Sequence, residues 1–263
     1  MLFCAELTTV KVIYNVLKSI TIKDFAIVRP MKEGLKITVE EMKCIETSAY
    51  IPCNMFSMYH IDKNEECLFK INLKTLTEIL NIFGDDGNSS LKLSYKSPGS
   101  PLCLVLYHGE ENITVGCEIR TMNCDDFENP SLAEECDLNK IVINANILLE
   151  LLQRLDNSAE EVKITFNPQP PNFILKTSSL SGESEVNISK HSESVTLFQC
   201  KEKIESVYAF SNIRHILKVM HYASKVAIST GESGLLGLQL VINSDDNQMY
   251  VEYYVTALYI NDQ

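Results

Sequence analysis

The sequence predicts an α+β fold of two similar halves, each with two short helices packed on antiparallel sheets. Three observations lead there. Strand-like apolar runs outnumber helical windows, the order of elements before residue 122 recurs after residue 137, and an acidic, proline-broken stretch lies between the two series. That stretch, residues 122–137 (MNCDDFENPSLAEECD), carries six carboxylates and neither Lys nor Arg, and Asn129-Pro130 stops any helix or strand from crossing it. It reads as a solvated connector in which Phe127 and Leu132 are apolar enough to pin it to a body or face a partner. The expected domains are 1–121 and 138–263.

In the first half, residues 2–7 form an apolar run. Residues 8–20 follow with Val10, Ile13, Tyr14, Leu17 and Ile20 at the spacing of one helix face, and Lys11, Asn15 and Lys18 on the other. Strand-like runs come next at 25–28, 35–39, 44–51 (ended by Pro52) and 67–71. Asn72 suits the cap of a second helix, 73–83, with Leu73, Leu76, Ile79, Leu80 and Phe83 as its stripe and Gly84 as its stop. Strands at 91–95, 102–107 and 113–119 complete the half.

The second half repeats this order. A strand at 140–143 leads to a helix over 144–156, with Ile147, Leu148, Leu151, Leu152 and Leu155 inward. Strands at 162–166, 173–177, 185–188 and 195–200 follow, and NPQPPN between the first two excludes regular structure. The run 206–210 leads to a helix over 211–223, capped by Ser211, with Ile213, Ile216, Leu217 and Met220 inward. Strands at 225–229, 236–242 and 250–256 close the half. Matching order over about 120 residues implies a structural duplication.

Composition narrows the function classes. With 45% hydrophobic and 22% charged residues, the 263-residue chain is ordinary globular material. Its nine cysteines are odd in number and form no C-x-x-C pair, so reduced, mostly buried thiols are expected rather than a disulfide framework or a zinc site. The opening residues, interrupted by Glu6 and Lys11, do not read as a signal peptide, and no apolar run approaches the ~20 residues of a membrane span.

The net charge of −12 excludes a protein basic over its whole surface. It leaves room for a local basic face. The four helical windows hold Lys11, Lys18, Lys74, Arg154, Arg214 and Lys218 against Glu78, Glu150 and Asp156, a net of +3 that leaves −15 for the rest. Basic side chains on helices of one face suit a phosphate backbone bound without base readout.

Catalytic candidates fail on placement. Asp85-Asp86, Asp125-Asp126 and Asp245-Asp246 are the carboxylate pairs a metal-dependent 3′–5′ exonuclease would need. Each lies in a turn or linker, and adjacent carboxylates on extended chain point apart. No nucleotide-binding glycine loop, nucleophile elbow or H-E-x-x-H occurs, and His215 and His221 are spaced too far round one helix to share a metal. The expected class is therefore a non-enzyme without cofactors.

Residues 34–51 (GLKITVEEMKCIETSAYI), 69–84 (FKINLKTLTEILNIFG) and 250–254 (YVEYY) carry a resemblance to the DNA sliding-clamp superfamily. More closely, the chain resembles the middle-numbered, Rad-type subunit of the heterotrimeric 9-1-1 DNA-damage checkpoint clamp, over essentially its whole length. The resemblance implies the DNA-clamp fold and a nuclear, ring-forming subunit with two other clamp-like subunits. It also implies loading by an ATP-dependent clamp loader, encirclement of double-stranded DNA independent of sequence, and recruitment of checkpoint and repair client proteins. By the same resemblance, Lys11, Lys18, Lys74, Arg154, Arg214 and Lys218 face DNA, although Glu78 and Asn81 stand where the replicative clamp has lysines. Subunits would join through edge strands carrying Ile113, Val115 and Ile119 on one side and Val186 and Ile188 on the other. A client-peptide groove would be lined by Ile45, Phe127, Leu132 and Tyr254. The alternatives are a homotrimeric replicative-type clamp and the exonuclease.

Overall fold

A computed structural model describes residues 1–62, 65–84, 87–124, 139–156, 158–244 and 247–260. The chain divides into two units, Met1–Glu40 with Ser48–Glu128 and Ser244–Tyr250, and Glu41–Thr47 with Asn129–Asn243 and Val251–Gln263.

The first half begins with β1 (Phe3–Leu7) and α1 (Lys11–Ile20), then β2 (Phe25–Met31), β3 (Gly34–Glu41), β4 (Ile45–Pro52) and β5 (Met58–Ile61). It continues with β6 (Phe69–Asn72), α2 (Leu73–Leu80), β7 (Ser89–Tyr95), β8 (Leu102–His108) and β9 (Ile113–Ile119). One sheet runs β5-β1-β7-β8-β9, and the other strands run in the order β4-β3-β2-β6. The pairings of β1 with β5 and β7, of β8 with β7 and β9, and of β2 with β3 and β6 are all antiparallel. Ile13 and Leu17 of α1 and Leu76 and Leu80 of α2 meet Phe3, Leu91 and Leu93 of one sheet and Val28, Leu35 and Ile71 of the other in a single apolar cluster. Both helices thus bury one stripe against strands of this half and turn the other outward.

The second half contains β10 (Asn139–Asn144), α3 (Ala145–Arg154), β11 (Glu161–Phe166), β12 (Phe173–Ser179), β13 (Gly182–Ile188), β14 (Val195–Gln199) and β15 (Ile204–Ala209). After these come α4 (Phe210–His215), α5 (Leu217–Met220), β16 (Lys225–Thr230), β17 (Leu236–Ser244), β18 (Asn247–Val255) and β19 (Tyr259–Ile260). Its strands run β14-β10-β16-β17-β18 and β13-β12-β11-β15, with β19 added beside β15. Replace β5, β1, β7, β8, β9 by β14, β10, β16, β17, β18 and β4, β3, β2, β6 by β13, β12, β11, β15, and the first half's topology becomes the second's. The duplication expected from element order is therefore present strand for strand. Phe166, Phe173, Tyr208, Phe210 and Tyr253, each at most 1% exposed, form the aromatic centre of this half. Tyr208 donates to Gly234 O (2.9 Å) and Tyr253 to Asn212 O (2.6 Å), so both buried hydroxyls are satisfied.

Several expectations need correction. The window 211–223 is two short helices, because hydrogen bonds of the tighter i→i+3 kind, Ile216 N to Ile213 O and Val219 N to Ile216 O, interrupt the α pattern. Ser211 is not the cap: α4 starts one residue earlier, after Ala209, with no side-chain cap. By contrast Asn72 accepts from Thr75 N (2.8 Å) as expected, and Asn144 accepts from the N–H groups of Asn146 and Ile147. Ile147 is 42% exposed and lies off the buried stripe of α3. Strand β5 is absent from the sequence reading because Met58 and His60 are exposed and Tyr59 and Ile61 only partly covered, the pattern of an edge strand without apolar alternation. The thiols are all free among the described cysteines, yet only Cys4 and Cys67 are buried. Cys44 and Cys53 sit at strand ends where little covers them. No helix among the described residues is long and apolar enough to cross a membrane.

Candidate functional site

The five α-helices among the described residues share a charge pattern that composition does not reveal. None has an acidic residue in its first turn, where Asp and Glu normally complement the positive helix end. Lys11 is instead the first residue of α1, behind Val10, which offers no side-chain cap, and Lys74 is the second residue of α2. A cation in the first turn opposes the macrodipole by about 0.3–1 kcal/mol. In a chain with 35 acidic residues, keeping them out of these helix starts creates several places that suit a polyanion. Lys18, in the last turn of α1, has the opposite placement, favourable to the helix itself, and its ammonium lies 5.3 Å from the Tyr14 ring centroid.

Of the six predicted DNA-facing residues, Lys11, Lys18, Lys74, Arg154 and Lys218 are exposed. Arg154 pairs with Glu150 one turn back (3.1 Å), a surface pair that phosphate can displace cheaply. Arg214 differs from the other five. It is half-buried, its guanidinium lies 4.2 Å from the Phe210 ring centroid, and Nη2 donates to Asp156 O (3.3 Å). The Asp156 carboxylate accepts from Ser179 Oγ and from the N–H and hydroxyl of Ser158, which with Arg214 nearby hold its pKa below the usual aspartate value. This joint fastens α4 to the end of α3 and to β12.

Among the described residues, strand β9 pairs only with β8 and stands at the end of its sheet; β13 pairs only with β12 and stands at the end of another. Their exposure follows the same sequence from first residue to last: open at the start, alternating in the middle, buried at the final isoleucine. Ile113 is 42% exposed and Val115 and Val186 are half-buried, whereas Ile119 and Ile188 are core residues that fasten each edge to its unit. Among the described residues the outer edge of each strand has no ladder partner, which favours addition of another strand.

Of the groove residues, Phe127 and Leu132 lie outside the described residues. Ile45 is buried, and Tyr254 is half-buried, its phenol pushed up to about 12 by desolvation with help from Glu252 and Glu46. Just beyond these positions Thr256 N–H donates to Cys44 O (3.0 Å). Glu46, only 2% exposed, is missed in the sequence because a lone glutamate in a strand-like run carries no signal of burial. At the first residue of the connector, Lys70 and Met122 exchange both backbone hydrogen bonds (3.0 and 2.9 Å), so the chain leaving β9 is tied to β6 at residue 122. The three carboxylate pairs weighed for nuclease chemistry lie outside the described residues, and among those described no group of three His, Cys, Asp or Glu is placed to hold a metal.

Comparison with known proteins agrees with this architecture. A solved structure of the PCNA2–PCNA3 complex from Sulfolobus tokodaii superposes with a TM-score of 0.77 at 16% identity, covering 97% of this chain and 99% of the other. That likeness establishes the DNA-clamp fold. The DNA repair protein Rad1 of Drosophila melanogaster is 30% identical over 99% of this chain and 95% of its own length. The cell cycle checkpoint protein RAD1 of Homo sapiens is 31% identical, over 95% of this chain and 89% of its own length, and the DNA damage checkpoint control protein rad1 of Schizosaccharomyces pombe is 24% identical over 98% and 87%. The family described as repair protein Rad1/Rec1/Rad17 matches residues 2–242, and with two duplicated clamp units and relatives along its whole length, the chain belongs to that family.

Proposed function

We propose that this chain is a non-enzymatic subunit of a heterotrimeric, ring-shaped checkpoint clamp of the 9-1-1 kind. The ring encircles double-stranded DNA at damage sites in the nucleus, is placed there by an ATP-dependent loader, and recruits checkpoint and repair proteins. The observation that carries DNA contact is the absence of acid from the start of every described α-helix, with Lys11 and Lys74 in two first turns of a chain whose net charge is −12. Lys11, Lys18, Lys74, Arg154 and Lys218 meet phosphates weakly and without base readout, since encirclement, not affinity, keeps the clamp on DNA. Arg214 serves this face from behind, by holding α4 in place.

Subunits join by strand addition at β9 and β13, with Ile113, Val115 and Val186 at the joints and Ile119 and Ile188 anchoring them. Ile45 and Tyr254, with Phe127 and Leu132 of the connector, form the client groove, and the acidic connector favours a basic client. The test is the native mass of the tagged chain recovered from nuclear extract, with every stoichiometric partner sequenced, followed by retention of the complex on closed circular DNA. Two different clamp-like partners and loss of retention on linearisation are expected. A homotrimer, or retention that linearisation leaves unchanged, overturns the reading.

A further inference from the structure

Gly116 stands in the middle of the edge strand β9, directly across from Val105 of β8. Nothing among the described residues asks for a glycine there. Its φ is not in the left-handed region, and a Cβ built on it meets no heavy atom within 4 Å. Glycine weakens a strand interior, and where neither a bulge nor a bend requires it, it often marks a place where a ligand or another chain approaches closely. The surroundings have the shape of such a contact. Val105 is 40% exposed beside the bare backbone and Tyr107 is 41% exposed across from Thr114, both on the face of the sheet that Gly116 shares. The Tyr107 hydroxyl donates to Asn112 Oδ1 (2.6 Å), which ties the ring to the turn leading into β9. On the other side of Gly116 lies the exposed Glu118, across from Cys103.

We infer that the space over Gly116 is a socket for one large aromatic side chain, carried by the edge strand of a different clamp-like chain that pairs with β9. This rests on the reading of β9 as a subunit edge. An aromatic residue across from a strand glycine folds over it and covers the apolar wall behind, here Val105 and Tyr107, which gives the glycine the packing it lacks alone. A second copy of this chain is the wrong occupant. The exposed side of its β13 offers Glu183, Glu185 and Asn187, which would set carboxylates against Val105 and near Glu118.

The experiment reconstitutes the complex from this chain and the two clamp-like chains of the same genome, and measures association for wild type, Gly116→Val, Gly116→Phe and Val105→Ser. The Gly116 variants are expected to melt no lower than wild type as free chains, since the added atoms enter open space and β-branched or aromatic residues suit strands. In the complex they should weaken association about tenfold or more by occupying the socket. Val105→Ser should weaken it less. Hydrogen exchange of β9 amides before and after assembly separates the two layers of reasoning. Protection of β9 with undiminished binding by Gly116→Val and Gly116→Phe overturns the socket and leaves the edge standing, whereas no protection of β9 overturns both. Wild-type self-association that Gly116→Val abolishes would overturn the assignment to a different chain.

Discussion

Arg214 is the residue at which the proposed DNA-facing role and a bracing role can be told apart. Its guanidinium lies 4.2 Å from the Phe210 ring centroid and bonds the carbonyl of Asp156, so truncation to Ala removes both interactions. A cation–ring interaction contributes about 0.5–2 kcal/mol and a hydrogen bond from a charged donor about 1.5–3 kcal/mol. The side chain is half-buried, so the lower ends apply and the combined loss is about 2 kcal/mol. At roughly 2–4 °C per kcal/mol for a chain of this size, the transition of the second unit should fall by roughly 4–8 °C. Arg214→Lys should lose nearly as much, because an ammonium keeps the charge but not the planar stack. The assay is thermal unfolding of both variants beside salt-dependent DNA retention of the assembled complex. If Arg214→Ala unfolds like wild type while DNA retention collapses, or if Arg214→Lys is fully stable, the guanidinium is a DNA ligand and its role as a brace is wrong.

Further outcomes follow from the same geometry. Changing Lys11, Lys18, Lys74 and Lys218 together to Ala should leave assembly intact and flatten the salt dependence of DNA retention, by about 0.9 in log–log slope for each phosphate no longer neutralised; an unchanged slope removes these helices from the interface. Asp156 has a folded pKa below the ordinary value of 3.8, so its contribution is complete above that value and is lost as pH falls through the lower folded value. The stability gap between wild type and Asp156→Asn should therefore close only below about pH 4, and a gap that closes near neutrality would contradict the Ser158 and Ser179 hydrogen bonds as its cause. Gly34→Ala places a Cβ 2.3 Å from Ile51 O and 2.7 Å from Pro52 Cα, both backbone atoms that cannot swing aside. It should destabilise the first unit by about 1–3 kcal/mol or more, read by urea unfolding, and a neutral result would mean the β3–β4 packing is looser than described. Val115→Pro removes a ladder donor from β9 and should block assembly; normal complex formation would show that a different edge is used.

How much of this was readable in the chain varies by element. Helix α2 was legible to the residue at its start, because Asn72 and the stripe Leu73, Leu76, Leu80 act within a few turns of each other and need no distant partner. The duplication was legible for the same reason: strand runs and turn residues are local, and their order repeats. The edge positions of β9 and β13 were reached only through resemblance to a known family, since nothing in a strand's own residues states that it lacks a neighbour on one side. The break at Ile216 depends on hydrogen bonds that apolar spacing does not encode. Burial of Glu46, exposure of Cys44 and Cys53, and the diversion of Arg214 to Asp156 depend on which distant parts of the chain arrive beside them or fail to arrive. Local pattern by itself determined the elements, their repetition and the acidic connector, because propensity, capping and periodicity act over a few residues. Tertiary structure alone decided which charges stay exposed, which strands are left as edges and which glycine stands over open space, because each is a property of neighbours that are distant in sequence and adjacent only after folding.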